Sequence, residues 1–388
     1  MPSVCLYLQL HQPYRLRRYS VFDTDRQYFD EFNNATLVRQ IAQRCYVPAG
    51  KMLLELIGEY SGRFRFGLSV TGLLLEQFER ESPEALSILK KLAATGCVEF
   101  LGETYYHSLA SLYSSEEFAA QAALHRDIVR RLFGQETRVF RNSDLIYNGE
   151  IGGWVSALGF KGCCVEGSPT LLNGRSPNQL YTAANTPALK LLTRNARLSD
   201  DIAYRFIDQS WNEYPLTADK FAGWVNGINE PHCNLFLNLE TVGERLRRDT
   251  GIFEFFADLP GQLLASEQTR FVKPSEAIAL EATGGGLDAP VVTSWAEPEC
   301  DVSPWLSNAM QTNALHELFK LEQPLKQRHD ESMLDNWRKL GTSDHFFYMG
   351  TKYWAAGHAG MMSPYESPYD GYINFMNVLE NINARLRA

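Results

Sequence analysis

The chain reads as an α/β protein in which parallel strands close, or nearly close, into a barrel, followed by a helical C-terminal segment. Three observations predict this. Short apolar runs alternate with amphipathic helical stretches over residues 1–285, the pattern of parallel strands covered by helices. Seven or so of these runs end in polar clusters, and α/β barrels display their chemistry at the C-terminal ends of their strands. From about residue 280 the texture becomes helical, so the expected division is a barrel at 1–285 and a helical domain at 286–388, packed on the barrel rim.

The first strand covers residues 3–10. Pro13 stops it and leaves His11 at its tip. A helix carrying Ile41, Met52, Leu53, Leu54 and Ile57 leads to a second strand at 64–71. A helix over 77–94 ends at Gly96, a helix-terminating glycine. The third strand, 97–101, runs into Gly102-Glu103-Thr104-Tyr105-Tyr106-His107-Ser108-Leu109; packing alone does not call for a carboxylate, two tyrosines and a histidine at one tip. Ser114-Ser115-Glu116-Glu117 opens a helix over 115–132. The fourth strand, 137–140, ends in Arg141, Asn142, Ser143, Asp144 and then Tyr147; the plain alternative is that Arg141 and Asp144 pair to hold the loop. A helix bearing Ile151, Trp154, Val155 and Leu158 follows, ending at Gly159. Strands at 160–165, 189–193 and 234–239 end in Glu166, in Arg194 to Asp201, and in Glu240. A helix at 250–259 is expected to stop at Pro260. A short strand is expected at 291–295, and helices at 305–322, 326–340 and 374–386.

Composition excludes several classes. With 388 residues, 45% hydrophobic and 21% charged, the chain can bury a large core. A net charge of -9 and the lack of a basic stripe argue against nucleic acid. The seven cysteines lie mostly in apolar runs without a CxxC, as buried thiols of a reducing compartment do. No signal peptide and no membrane-length apolar run is visible, so the expected address is the cytoplasm and no membrane partner is expected. The oligomeric state is not legible. GxGxxG, GxxxxGK[ST] and GxSxG are absent, which leaves dinucleotide, P-loop and serine-hydrolase readings without support. The eight histidines lack HxH, HxxxH and HExxH spacings, so neither a zinc or iron site nor a metal-dependent deacetylase is expected.

His11, Glu103, Asp144, Glu166, Arg194, Asp200, Asp201 and Glu240 should converge on one face. A surface rich in carboxylates and aromatics and poor in lysine suits sugar hydroxyls. Here the chain resembles glycoside hydrolase family 57, in particular its α-amylase-type members. The resemblance spans residues 4–386. It rests on His11-Gln12-Pro13, Gly102 to Leu109, Phe140-Arg141-Asn142-Ser143-Asp144-Leu145-Ile146-Tyr147, Arg197-Leu198-Ser199-Asp200-Asp201, Phe236-Leu237-Asn238-Leu239-Glu240-Thr241, Gly251-Ile252-Phe253-Glu254-Phe255 and Thr342-Ser343-Asp344-His345-Phe346. It implies an incomplete seven-stranded (β/α) barrel, α-glucan or maltooligosaccharide substrates, a retaining mechanism, and no required metal or organic cofactor.

Two departures bear on catalysis. The family nucleophile is the Glu of an Arg-Asn-Thr-Glu-Leu-Ile-Tyr pattern, and Asp144 stands there. The acid/base is the Asp of a Met-Asp-Tyr-Glu-Thr pattern, and Asn238 stands there. Asp144 is one methylene short, and a misplacement of about 1 Å can cost on the order of 100-fold. An amide cannot protonate a leaving oxygen, a loss of typically about 100- to 10,000-fold. The resemblance also assigns sugar contacts to His11, Glu103, Tyr105, His107, Arg141, Asp200, Glu240, Asp344 and His345. The expectation is an amylase-like protein that binds α-glucan with hydrolysis weak or lost. The alternative is an active retaining α-glycosidase or glucanotransferase in which Glu240 supplies the proton.

Overall fold

The computed structural model describes residues 2–266, 269–352, 354 and 363–387. It is an α/β fold with mixed sheets and a helical C-terminal region. Its strands are β1 (Ser3–Leu10), β2 (Phe66–Val70), β3 (Val98–Phe100), β4 (Val139–Arg141), β5 (Gly162–Val165), β6 (Leu180–Ala183), β7 (Thr186–Thr193), β8 (His232–Asn238), β9 (Arg270–Phe271) and β10 (Gly286–Leu287). They form two five-stranded ladders rather than one continuous set. One runs β3-β2-β1-β8, with β9 also on β1, and is parallel throughout; the other runs β10-β6-β7-β5-β4.

The β6–β7 pair is antiparallel and was not expected from sequence. Its short connection, Ala184-Asn185, lacks the Asn-Gly or Gly-Gly signature that marks a tight hairpin. The ladders touch at two joints. Gly102 donates to Val139 O (2.9 Å) and Arg141 donates to Gly102 O (2.7 Å); on the far side Asn195 donates to Asn234 O (2.8 Å).

Strand alternation sorts the side chains. On β1 the residues Val4, Leu6, Leu8 and Leu10 face a core shared with the surrounding helices. Cys5 and Tyr7 face inward with Leu101, Val139, Cys164, Leu180, Leu192 and Phe236. The same inward parity, carried one step toward the strand ends, places Gln9, Ser69, Glu103, Arg141, Glu166, Arg194 and Asn238 above this apolar plug. A third core joins the outer face of the second sheet to the C-terminal helices, through Phe140, Ile151, Leu191, Leu315, Trp337 and Phe375. All seven cysteines are free thiols, six of them buried and Cys300 half-buried.

Four helices differ from expectation, the first being 305–322, which divides into Ser303–Leu306 and Ala309–Lys320 where Asn308 caps the second. The stretch 77–94 is two helices, Gly72–Glu81 and Pro83–Ala94, because Pro83 begins a new helix and breaks the previous ladder. Pro260 does not stop its helix, which runs from Ile252 to Leu264. Burial of Ile252, Phe255, Phe256, Leu259 and Leu263 on one stripe offsets a lost backbone bond worth ~3 kcal/mol. The stretch 326–340 divides into Glu322–Arg328 and Glu331–Leu340, the second capped by Asp330. The expected strand at 291–295 is only a bridge, Thr293 to Tyr147. Among the described residues no helix is long and apolar enough to cross a membrane.

Candidate active site

The centre of the polar layer is Asp144. It sits in a single 3-10 turn, Ser143–Leu145, directly after β4, with φ +51 and ψ +28. Leu145 and His107 also have positive φ (+53 and +50). Non-glycine residues adopt this left-handed conformation only when their surroundings hold them there. For Asp144 the surroundings are three donors. His107 Nε2 lies 3.3 Å away, Ser343 Oγ donates at 2.8 Å, and Trp295 Nε1 donates at 3.3 Å. Trp295 N also donates to the Asp144 carbonyl at 3.1 Å, so the bridge at Thr293 is what delivers the indole.

The electrostatics follow from this cage. Burial would raise the Asp144 pKa, but the charge and hydrogen bond of His107, with Arg141 and Ser343 behind, hold it far below the usual carboxylate range. Burial would lower the His107 pKa, yet Asp144 and Glu103 lift it to about 9. The two therefore form a buried ion pair at neutral pH. Glu103 is fully buried and accepts from Ser69 Oγ at 2.7 Å, with His107 Nδ1 at 3.9 Å and His125 Nε2 at 3.8 Å. Its burial is outweighed by these partners and Arg141, and its pKa is lowered.

His11 takes the other role. Its ring stacks on His107 with centroids 4.1 Å apart. Nε2 lies 3.0 Å from Asp344 Oδ2 and Nδ1 3.0 Å from Thr71 Oγ1. Burial and the charge of His107 lower its pKa despite Asp344. A neutral ring protonated on Nε2 satisfies both contacts, donating to Asp344 and accepting from Thr71. The helix Ser343–Phe347 therefore supplies a wall of the site through two adjacent residues.

Arg141 does not pair with Asp144 in the way the plain alternative supposed. Its Nε donates to Tyr7 OH (3.1 Å) and its NH2 to Gln9 Oε1 (2.6 Å), and its guanidinium lies 4.9 Å over Trp295. The Arg194 guanidinium also lies over that indole, 5.7 Å from it, and pairs with Glu166 (3.3 Å) and Asp200. Burial raises the Glu166 pKa to about 7, with Arg194 opposing.

Asn238 ends β8 and pairs in register with Gln9, so both side chains face the same interior. Its amide has no hydrogen-bond partner among the described residues. The strand stops there, and Glu240 lies in the following 3-10 turn, Leu239–Thr241, so strand alternation does not govern where Glu240 points. Glu240 Oε1 accepts from His11 N (3.1 Å) and Tyr46 OH (2.6 Å). Burial raises its pKa to about 6 against those bonds.

Asp201, expected on this face, pairs with Arg205 instead and makes no bond to the cluster among the described residues, and two expected sugar contacts also lie apart. Tyr105 donates to Glu76 at 2.7 Å, and His345 is buried beside Phe375 with ring centroids 6.0 Å apart. Neither bonds to the cluster. Trp295, Ser343, Thr71, Gln9 and Tyr7 join it without having been singled out. Thr71 and Gln9 were findable from their places at strand ends, whereas Trp295 and Ser343 arrive from sequence positions 151 and 199 residues away from Asp144. Exposure divides the cluster: Asp144 (18%), Asp344 (19%) and His11 (11%) reach solvent, while Glu103 (0%) and His107 (4%) lie beneath. Among the described residues no group of three or more His, Cys, Asp or Glu side chains could share a metal ion.

Comparison with known proteins agrees in sequence and in fold. A provisionally named alpha-amylase of Methanocaldococcus jannaschii is 36% identical over 390 residues, covering 96% of this chain and 82% of that protein. The alpha-amylase AmyC of Thermotoga maritima shares the fold at a TM-score of 0.66 and 14% identity, covering 100% of this chain and 94% of that one. A branching enzyme of Pyrococcus horikoshii does so at 0.70 and 15%, covering 98% and 88%. The profile of Glycosyl hydrolase family 57 matches residues 5–290, which hold every strand and every tip described above except the Trp295 and Ser343–Asp344 wall, and the chain belongs to that family.

Proposed function

We propose that this protein binds α-glucan of the starch or maltooligosaccharide type above the interior of its sheets, with hydrolysis weak or lost. In this reading β1, β2, β3, β4, β5, β7 and β8 act as an incomplete seven-membered (β/α) barrel, and residues 286–388 act as a helical domain on its rim. Asp144 stands at the nucleophile position and Asn238 at the acid/base position.

The observation that supports it most is the contrast in proton supply. Asp144 is ionised and aimed by three donors, so an electron pair is available on a residue one methylene short. Asn238 offers only an amide. Retaining hydrolysis needs both a nucleophile and an acid, with carboxyl groups about 5–5.5 Å apart. His11, Asp344 and Asp144 at the exposed rim supply donors and acceptors for glucosyl hydroxyls.

One observation favours the active alternative. Glu240 is a buried carboxyl with a pKa raised to about 6, and it bonds to the backbone of His11 beside Asn238. A group of that kind holds its proton longer than an exposed glutamate and could stand in for the missing acid.

Titration calorimetry with maltoheptaose, run beside a reducing-sugar assay on starch, tests both. Binding with release well below ~1 per second is expected. Release at or above that rate overturns the impaired-catalysis reading. Absence of binding overturns the glucan reading.

A further inference from the structure

A cavity lies beside the helix Ala196–Ala203. It has a volume of ≈ 390 Å³ and is lined by Arg197, Asp201, Arg205, Trp211, Glu213 and Trp224. That volume falls in the ~300–1,000 Å³ range of small-molecule sites. Trp211 and Trp224 meet edge to face, 6.1 Å apart at 70°. Both indoles back onto the first core, so their outer parts form a rigid aromatic wall.

The charges around this wall are largely matched. Asp201 pairs with Arg205, and Glu213 lies 3.7 Å from Lys220. Asp201 is buried at 4% exposure, yet its partner is 41% exposed and free to offer further donors. With two arginines set against two carboxylates the lining carries no net charge, so its aromatic wall and spare guanidinium donors suit a neutral, hydroxyl-rich ligand. Rigid aromatic faces with polar groups between them are what a sugar ring needs, with its apolar C–H face and its ring of hydroxyls.

The cavity is also placed to serve the first site. Asp200 and Asp201 are adjacent on one helix. Asp200 reaches Arg194 in the polar layer, while Asp201 lines the cavity. The polar layer and the cavity are thus both tied to this one eight-residue helix.

We propose that the Arg197–Trp211–Trp224 cavity is a second binding site for neutral glucan, which retains a long chain beside the Asp144 site. This rests on the glucan reading above. Two sites on one molecule raise retention of a long chain without strengthening either contact.

The test is affinity electrophoresis in amylopectin gels together with maltoheptaose titration followed by tryptophan fluorescence. Trp211→Ala should lower amylopectin affinity about tenfold or more. Arg197→Gln combined with Glu213→Gln, both exposed positions that place no load on the core, should lower it severalfold. Trp211→Phe should keep most of it. His11→Ala, which damages only the first site, should leave residual amylopectin binding that Trp211→Ala then removes. If the cavity variants bind as the native protein does while His11→Ala abolishes binding, the second site is wrong and the glucan reading stands. If the native protein binds no glucan, both fall.

Discussion

The strand tips at Asp144 and at Asn238 face one interior but are built very differently. Around Asp144 three donors from distant parts of the chain converge on one carboxylate, over a second layer of Glu103, His125 and Arg141. Around Asn238 there is a strand end and an amide with no partner among the described residues. The setting that holds a negative charge in place is elaborate; under the proposed function, the group that would deliver a proton is missing or has moved to Glu240. If the proposal holds, charge placement and proton delivery are separable in this fold, and the two tips can be tested one at a time.

The largest effect should come from refilling the poorer side. Asn238→Asp is close to isosteric and restores a protonatable group, so hydrolysis of maltooligosaccharides should rise by about 100- to 10,000-fold, read as reducing-sugar release. Adding Asp144→Glu should raise it further, because the two groups act as a unit. The gain from Asp144→Glu alone should be small, since lengthening the side chain moves both oxygens off Ser343 and Trp295. No gain from the double variant would mean that the contrast between the tips is not what limits catalysis.

Next in size is the pH dependence of the richer side. The His107 pKa is higher in the folded protein, so its stabilisation is complete below 6.5 and is lost as pH rises through about 9. That displacement corresponds to about 3 kcal/mol. Asp144 is depressed, so its contribution is present above its ordinary 3.8 and is lost as pH falls below it. Urea melts should show greatest stability between these limits, and Asp144→Asn should reduce the alkaline loss, leaving the part that Glu103 supplies. An unchanged alkaline slope in that variant would disprove the ion pair.

Glu240→Gln addresses the proton directly. Its Oε1 can still accept from His11 N and Tyr46, so binding should hold. Any hydrolysis shown by the native protein should fall by about 100-fold. An unchanged rate excludes Glu240 as the donor. The smallest effect is expected of His11→Ala, which removes one hydrogen-bonding group at the rim. About a tenfold weaker affinity for maltoheptaose by calorimetry, roughly 1.4 kcal/mol, is the anticipated result.

Much of this arrangement was legible in the sequence because it obeys local rules. Residues at one parity on β1 to β5, β7 and β8 face the same way, and that places His11, Glu103, Arg141 and Asn238 near one another once the strands are found. What was not legible depends on distant chain or on context. The β6 arm lacks a hairpin signature. Pro260 is overridden by the burial of its neighbours. Trp295 lies in a segment that reads as a short strand, but its single bridge, Thr293 to Tyr147, depends on a partner about 150 residues away. Tyr105 fits a pattern yet turns to Glu76, because a carboxylate on the adjacent helix Gly72–Glu81 is nearer. Burial and hydrogen-bond demand decide such cases, and neither has a period.

The clamp on Asp144 also has a schedule. Ser343 follows it by 199 residues, and Asp344 follows His11 by 333. At ~5–20 residues per second of synthesis, the strand tips wait roughly 10–40 s before Ser343 exists, and about 20 s to a minute separates His11 from its acceptor. During that interval the nascent sheets carry an Asp144 without its hydroxyl donor and a His11 without its carboxylate. The polar surface around Asp144 therefore emerges from the ribosome unfinished, and its last pieces are set in place only when the C-terminal helices dock.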